Sequence, residues 1–279
     1  MKLRKALDKA KKNREGSFQS EMPEKKRFKE EIPTDDWRQP VYSQSTQIEL
    51  RTEAVIENRC VCMEPNSPEI DSYKVLRTKI QQVTREKGWN TVMITSPRSG
   101  DGKTLTAINL ALTFSKTFNQ TILLVDCDLR KQDVHKHLGF HSESGLVDYL
   151  VDDRPLNEFI IWPSIEKLTL ISGGRIIQNS AELLGSPRMK ELVAEIKLRY
   201  DDRYVLFDVP PVLGSADTLA LVPFIDSIVM VVEEGKTSTR DVQKALEMLP
   251  KEKFLGFVMN KQRKRKNFED PYRFYGKNR

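Results

Sequence analysis

Residues 96–104 read Ser-Pro-Arg-Ser-Gly-Asp-Gly-Lys-Thr, and this stretch constrains the fold more than any other part of the chain. A β-branched run at 91–95 precedes it, and an apolar helical pattern follows from residue 103. Gly100 and Gly102 let backbone N–H groups turn inward around phosphate oxygens, and a helix N-terminus adds partial positive charge. Pro97 stands where the common G-x-x-x-x-G-K-[ST] pattern has its first glycine. The strand, turn and helix together predict a phosphate-binding loop of the Walker A type.

This loop predicts ATP and Mg²⁺ as ligands. Lys103 is expected to reach the β- and γ-phosphates, and the hydroxyl of Thr104 to hold the magnesium ion. The residues predicted to contact the nucleotide in this loop are Ser99, Gly100, Asp101, Gly102, Lys103, Thr104 and Leu105.

Two further predicted strands end in carboxylates. The apolar run 122–125 leads into Asp126, Asp128 and Arg130, and the run 204–207 leads into Asp208. Ligands of open α/β sheets bind at the carboxyl edge of the strands, and acids at the end of a buried strand need a cation to meet them. Asp208 has the Walker B form, in which an apolar run delivers one carboxylate to the surroundings of the metal. Magnesium-nucleotide is the cation that we expect there.

Short apolar runs alternate with helical patterns along the chain. Strands are predicted at 91–95, 121–125, 168–171, 204–207, 227–232 and 254–259, and helices at 103–118, 180–199 and 237–249. A further apolar helical stripe runs from Ile70 to Val83. Continuously apolar strands are typical of parallel sheets covered on both faces. The alternation therefore predicts a doubly wound, mostly parallel α/β sheet.

The 279 residues carry a formal net charge of +6, and basic residues concentrate at the two ends. We predict a basic, disordered segment at 1–48, a P-loop domain at 49–262 and a basic, tyrosine-containing tail at 263–279. The ends could meet anionic lipid, nucleic acid or an acidic partner, or be solvated tails.

The apolar runs are too short to span a bilayer, and three cysteines are an odd set. A cytoplasmic protein without a disulfide framework is expected.

These motifs resemble the bacterial tyrosine kinase family, the tyrosine autokinases of capsule and exopolysaccharide synthesis, within the MinD/ParA-like P-loop proteins. The block 123–130 resembles the family's Walker A′ motif, an apolar triplet followed by D-x-D-x-R. The resemblance implies catalytic roles for Lys103, Asp126, Asp128 and Arg130. Asp126 would orient or deprotonate the acceptor tyrosine. Asp128 and Asp208 would coordinate or orient magnesium together with Thr104, in roles that could be exchanged.

Other segments carry the same resemblance. Residues 179–186 resemble the family's N-P-S-E-L-L-x-S block, and Asn260 resembles the asparagine that reads adenine in related ATPases. Asp71, Lys74 and Arg77 occupy the positions of an E-x-x-R-x-x-R-T helix that joins kinase subunits into rings. Only the arginine at 77 keeps the family's residue type, and lysine does not reproduce a bidentate guanidinium. The spacing is also compatible with a solvated helix face.

The resemblance also implies phosphoacceptors and partners. Family members usually end in a tyrosine cluster that neighbouring subunits phosphorylate, and this chain offers Tyr272 and Tyr275. A homo-oligomer is therefore expected. The family often fuses the kinase to a membrane-spanning chain-length regulator, so we expect that regulator as a separate polypeptide that recruits the protein to the inner face of the cell membrane. No nucleic acid partner is expected.

Two other functions stay open. A MinD/ParA-type switch ATPase usually has a lysine five residues before the loop lysine, where this chain has Arg98. A nucleotide-binding regulator of a polysaccharide assembly complex would need no effective catalysis.

Some residues suggest sites that their spacing does not support. His135, His137 and His141 lack further ligands at metal-binding spacing, and Cys60 and Cys62 form only half of a metal motif. Cys127 is expected to be a small buried residue rather than a nucleophile.

Overall fold

A computed structural model describes residues 45–152, 154–198 and 202–262. Among these residues eight strands form one sheet. The strands are β1 Thr46–Gln47, β2 Thr91–Thr95, β3 Thr121–Asp126, β4 Ile161–Trp162, β5 Leu168–Ile171, β6 Arg203–Asp208, β7 Ser227–Glu233 and β8 Phe254–Asn260. They lie in the order β1-β4-β5-β3-β6-β2-β7-β8, and every neighbouring pair is parallel except β4 and β5. The predicted doubly wound, mostly parallel fold is confirmed.

Helices cover both faces of this sheet. They are α1 Thr52–Glu57, α2 Ile70–Glu86, α3 Lys103–Ser115, α4 Val134–His137, α5 Leu146–Val151, α6 Ser180–Leu184, α7 Pro187–Leu198, α8 Asp217–Leu221 and α9 Thr239–Glu247. Single 3₁₀ turns lie at Val61–Met63, Leu156–Phe159, Val222–Phe224 and Lys251–Lys253. No helix among the described residues combines the length and the apolar character that a membrane span requires.

The central strands are buried on both sides, which explains their continuously apolar sequences. Successive residues of a strand point to opposite faces. Accordingly, Ile122 and Leu124 of β3 pack in the cluster that contains α2 and α3. Leu123 and Val125 pack in the cluster that contains α5, α7 and α9. The acids that follow β3 and β6 are therefore held by strands with apolar packing on both faces.

The helix prediction at 180–199 was wrong in one respect, because two helices stand there instead of one. α6 ends at Leu184 and α7 begins at Pro187. Proline lacks a backbone N–H and fits the first turn of a helix but not its interior, so it restarts the chain as a new helix. The other predicted helices are shorter than their apolar patterns: α3 ends at Ser115, and α9 begins after Ser238, whose hydroxyl accepts a 3.1 Å hydrogen bond from the Asp241 N–H.

Two strands were not predicted from the sequence. β1 and β4 are two residues each, too short for a period-two pattern to be recognised. β1 pairs with β4 through Thr46 and Ile161, so the sheet includes residues before the domain boundary that we predicted at 49.

Candidate nucleotide-binding site

Three adjacent strands bring the phosphate loop and the acids to one edge of the sheet. β6 lies between β3 and β2, and its Asp208 pairs in register with Asp126 of β3 and with Ile94 of β2. Two backbone hydrogen bonds continue this register past the strand ends. Cys127 N–H donates to the Asp208 carbonyl at 2.8 Å, and Val209 N–H donates to the Ile94 carbonyl at 3.1 Å. The parallel register thus brings two acids 82 positions apart in sequence side by side.

Lys103 is the cation of this acidic cluster. Its Nζ lies 2.7 Å from Asp128 Oδ2 and 3.6 Å from Asp208 Oδ1, and it donates to Thr104 Oγ1 at 3.2 Å. Burial alone would lower the pKa of Lys103, but the negative charges of Asp208 and Asp128 outweigh burial and raise it. The lysine therefore stays protonated, and its charge is available to phosphate oxygens.

Asp126 is fully buried and is fixed by two backbone donors. Its Oδ1 accepts from the Asp128 N–H at 3.1 Å, and its Oδ2 accepts from the Val134 N–H at 3.2 Å. Burial, followed by the charge of the neighbouring Asp208, raises the pKa of Asp126 well above its ordinary value. A carboxylate held rigidly with a raised proton affinity has the properties of a general base.

Asp208 is the acid best suited to meet a metal ion. It is fully buried, and neither of its carboxylate oxygens has a hydrogen-bond partner. Burial raises its pKa, and the charge of Lys103 opposes that rise. Unsatisfied buried carboxylate oxygens are costly unless a cation meets them, and oxygen donors are what Mg²⁺ prefers. Asp208, Asp128 and the Thr104 hydroxyl therefore fit magnesium, although the described residues contain no preassembled group of three His, Cys, Asp or Glu ligands.

The turn of the phosphate loop depends on its glycines. Gly100 and Gly102 have φ angles of +92° and +97°, a region that residues with a Cβ rarely adopt. A Cβ at position 102 would also lie 2.0 Å from the Asn260 side-chain nitrogen. Gly102 immediately precedes α3, so the loop N–H groups gather at a helix N-terminus, as phosphate binding requires.

Contacts from the end of β8 and from the turn between β7 and α9 hold this loop from the side. The Asn260 amide donates to the Asp101 carbonyl at 2.8 Å, and Lys261 Nζ donates to the Gly100 carbonyl at 2.7 Å. Thr237 Oγ1 donates to Asp101 Oδ1 at 2.8 Å. Asn260, which we predicted to read adenine, therefore lies beside the loop and contacts its backbone. The contacts of Lys261 and Thr237 with the loop could not be recognised from the sequence, because they join residues more than 130 positions apart.

Arg98, the residue before Ser99 in the loop, is paired within its own chain. Its Nε and Nη2 donate to the two carboxylate oxygens of Asp241 in α9, at 2.7 and 2.9 Å. The Arg98 hydrogen bond, followed by that of Ser238, lowers the pKa of Asp241 to about 2. Bidentate geometry of this kind favours a fixed orientation of both side chains.

Arg130, the last residue of the Walker A′ pattern, contacts the first residues of two helices, α6 and α8. Its Nε donates to Ser180 Oγ of α6 at 2.9 Å, and its Nη2 lies 3.7 Å from Asp217 Oδ1 of α8. Asp217 was not identified from the sequence, where it is one acid among many with no motif around it.

The three residues predicted to join subunits have partners within the chain. Lys74 Nζ pairs with Asp71 Oδ1 at 2.9 Å on the surface of α2. Arg77 Nη1 donates to the Thr113 carbonyl near the end of α3 at 2.8 Å. The tail with Tyr272 and Tyr275 lies outside the described residues. Cys60, Cys62 and Cys127 are free and buried, which confirms that Cys127 is a buried residue.

Comparison with known proteins identifies the class to which this fold and site belong. Residues 89–254, more than half of the chain, match the family described as AAA domain. The archaeal MinD septum site-determining protein of Pyrococcus horikoshii, solved with Mg-ADP, is 22% identical, with a TM-score of 0.50 over 61% of this chain and 69% of that chain. That likeness concerns the fold alone. The chain has a P-loop fold of the MinD/ParA-like type, and a P-loop ATPase domain implies nucleotide binding.

Sequence relatives define the family more narrowly. The chain is 37% identical over 215 residues to the tyrosine-protein kinase YwqD of Bacillus subtilis, covering 76% of this chain and 89% of YwqD. It is 32% identical over 182 residues to the tyrosine-protein kinase wzc of Salmonella typhi, covering 65% of this chain but only 25% of that longer protein. The chain belongs to the bacterial tyrosine kinase family, and its homologues are protein-tyrosine kinases.

Two solved structures agree with this assignment. The kinase domain of the Escherichia coli tyrosine kinase ETK is 26% identical, with a TM-score of 0.68 over 74% of this chain and 80% of that chain. The chimerical protein CapA2B2 is also 26% identical, with a TM-score of 0.68 over 82% of this chain and 97% of that chain.

Proposed function

We propose that this chain transfers the γ-phosphoryl group of ATP to tyrosines in the C-terminal tail of a neighbouring copy, and that this autokinase activity regulates capsule or exopolysaccharide synthesis and export. The observation that carries the proposal is the cluster of Lys103 with Asp126, Asp128 and Asp208 at the end of the phosphate loop. Phosphoryl transfer depends mainly on positioning and on neutralising charge, and this cluster supplies both.

Each side chain of the cluster has a proposed role. Lys103 binds the β- and γ-phosphates, and the loop residues 99–105 bind the phosphates through backbone N–H groups. Thr104, Asp128 and Asp208 hold magnesium, which when bound neutralises charge on the transferred group. Asp126 accepts the proton of the tyrosine hydroxyl, and Arg130 stabilises the negative charge that develops. Asn260 contributes to adenine recognition.

The position of Asn260 and Lys261 supports the tail as substrate. The sheet ends at Asn260, and both residues contact the phosphate loop, so the last described strand ends beside the nucleotide site. A tail that starts at one site can extend to the site of a second copy. We therefore propose a homo-oligomer in which Asp71, Lys74 and Arg77 contribute subunit contacts.

A second polypeptide completes the proposed assembly. The chain lacks a membrane-spanning helix among its described residues, and it resembles a chimera named CapA2B2. We propose that a separate membrane-spanning chain-length regulator recruits the kinase to the inner face of the membrane.

One experiment tests the central proposal. The purified full-length chain is incubated with labelled ATP and Mg²⁺, and phosphotyrosine is located by mass spectrometry. Wild-type protein should label at Tyr272 and Tyr275. The double variant Tyr272→Phe, Tyr275→Phe should lose most of the label while retaining nucleotide binding. Mixing a Lys103→Met chain with the double tail variant should restore label on the tail of the Lys103→Met chain, because transfer occurs between copies.

Other outcomes would select another function. Labelling of Tyr42 or Tyr149 with an unlabelled tail would contradict the tail as acceptor. Release of free phosphate without phosphotyrosine would select the switch ATPase, which the MinD-like fold favours. Nucleotide binding without either product would select a non-catalytic regulator.

A further inference from the structure

Asp217 is a fully buried acid next to the proposed catalytic residues. Neither of its carboxylate oxygens has a hydrogen-bond partner, and Arg130 Nη2 lies 3.7 Å from its Oδ1. A buried carboxylate without hydrogen bonds destabilises the fold unless a cation faces it. Arg130 is that cation. The two side chains differ in exposure: Asp217 is fixed by its burial, whereas Arg130 is half-exposed and is oriented by its contact with Asp217.

A second contact fixes the same guanidinium. Arg130 Nε donates a 2.9 Å hydrogen bond to Ser180 Oγ at the start of α6. Ser180 and Asp217 are the first residues of α6 and α8, and these two helices pack against each other. Two contacts at different nitrogens define the plane of the guanidinium, whose five N–H groups leave further donors available.

The electrostatic surroundings place Asp217 with the other acids of the site. Cys127 lies between Asp126 and Asp128, and its pKa is raised well above the ordinary value by burial and then by nearby negative charges. Those charges are Asp126, Asp208, Asp128 and Asp217. Asp217 is thus a fourth acid of this cluster, although it comes from a helix and not from a strand end.

We propose that Asp217 is a positioning residue that, with Ser180, holds Arg130 in the orientation required for phosphoryl transfer. A half-exposed arginine without such contacts would sample many rotamers. Ordering its side chain would then cost conformational entropy in every catalytic cycle. Misplacement of a catalytic group by about 1 Å can cost about 100-fold in rate. This inference rests on the transfer reaction proposed above.

A double-mutant cycle tests the inference. Asp217→Asn, which keeps the shape and removes the charge, should lower kcat about 10-fold with KM for ATP changed less than about 2-fold. In an Arg130→Ala background the same substitution should change kcat by less than about 2-fold, because a residue that acts through another has no independent effect. Ser180→Ala should behave in the same way.

The control variant is Asp226→Asn. Asp226 is a half-buried acid at the opposite, amino-terminal end of the sheet, where it accepts from the N–H groups of Asn90 and Thr91 and pairs with Lys197. Its substitution should lower stability and leave kcat unchanged. The proposal is overturned if Asp217→Asn lowers kcat equally in the wild-type and Arg130→Ala backgrounds. It is also overturned if the Asp217→Asn chain fails to fold. Either result makes the role of Asp217 structural.

A second readout separates this inference from the proposed function. The ¹H–¹⁵N signal of Arg130 Nε, assigned by its absence in Arg130→Lys, should be protected from exchange in the wild type and lose protection at least about 5-fold in Asp217→Asn. If the wild type transfers no phosphate, the proposed function fails while this signal still tests the positioning. If transfer occurs but protection of the Arg130 signal is unchanged, the positioning role is wrong.

Discussion

The side-chain amide of Asn260 donates a 2.8 Å hydrogen bond to the carbonyl of Asp101, a residue 159 positions earlier in the chain. This contact places the end of the last strand directly against the phosphate loop. It also removes the space that a side chain at position 102 would need, because a Cβ there would lie 2.0 Å from the Asn260 nitrogen. The loop is thus shaped both by its own glycines and by a strand that forms far away in sequence.

Gly102→Ala should therefore weaken ATP binding strongly. The alanine would have to adopt a φ of +97° and displace Asn260 at the same time. We expect an increase in the Kd for ATP of at least about 10-fold and a loss of about 1–3 kcal/mol in the free energy of unfolding. Isothermal titration calorimetry and urea denaturation measure the two effects.

Gly100→Ala is the matched control for this prediction. Gly100 has a similar φ of +92°, but a Cβ there would meet nothing within 4 Å. It carries the same backbone strain without the displaced Asn260, so it should be the milder variant. Equal effects of the two substitutions would show that the contact with Asn260 does not matter.

Lys103→Met should abolish autophosphorylation while keeping the length of the side chain. The variant removes the cation that lies 2.7 Å from Asp128 and 3.6 Å from Asp208. We expect a loss of at least about 100-fold in transfer, measured as phosphotyrosine formed per minute. The apo chain should also lose about 3 kcal/mol of stability, because the acids are left buried without their partner. Undiminished phosphotyrosine would place the reaction elsewhere in the chain.

Asp126→Asn should change how stability depends on pH. The folded wild type holds the Asp126 proton to higher pH than the unfolded chain does, because burial and Asp208 raise its pKa. Its stability therefore falls as pH rises from the ordinary value of 3.8 towards the raised one. From pH 4 to pH 7 the free energy of unfolding of the apo variant should improve relative to the wild type by an amount of the order of 1 kcal/mol. Urea denaturation at several pH values measures the difference.

Asp226→Asn is a control with the opposite sign. Burial would raise the pKa of Asp226, but the hydrogen bonds from Lys197 and Asn90 outweigh burial and lower it. The wild type therefore gains stability from Asp226 as pH rises from the lowered pKa through the ordinary value of 3.8, and the variant should lose stability relative to the wild type over that more acidic range. A common trend in both variants would contradict the assignment of the two environments.

The same Asp126→Asn substitution should lower the rate of phosphoryl transfer more than it lowers the affinity for ATP. Asp126 is bonded to two backbone N–H groups and does not contact Lys103 directly, so its removal should leave the phosphate-binding cation in place. We expect at least about 100-fold lower kcat with a Kd for ATP within about 3-fold of the wild type. Equal losses in both quantities would indicate a metal-binding role in place of the role as base.

Arg98→Ala should raise the pKa of Asp241 from about 2 towards its ordinary value of 3.8. The hydrogen bond from Arg98 is the main cause of the low pKa, and the hydroxyl of Ser238 is the second. Carboxyl ¹³C shifts followed through a pH titration report this pKa directly. Ser238→Ala should produce a smaller rise. An unchanged pKa in Arg98→Ala would show that the ion pair does not form in solution.

How much could be predicted from the sequence differs between the sheet centre and its surroundings. β2, β3 and β6 were predicted within one residue, because strands buried on both faces have continuous apolar runs that glycine, proline or acids interrupt. β1 and β4 escaped prediction because two residues contain no pattern. The helix pair at 180–198 was merged because apolar spacing continues across Pro187, although the backbone does not.

The phosphate loop, the acids that end β3 and β6, and the alternation of strands and helices can be recognised in the sequence, because each is a pattern of residues adjacent in the chain. Which distant groups meet them depends on the tertiary structure. Asp217 faces Arg130, and Asn260, Lys261 and Thr237 hold the loop, through contacts that strand order and helix packing create. Such contacts leave no local pattern, because a single side chain at the end of a strand or helix can face any element that the fold brings beside it.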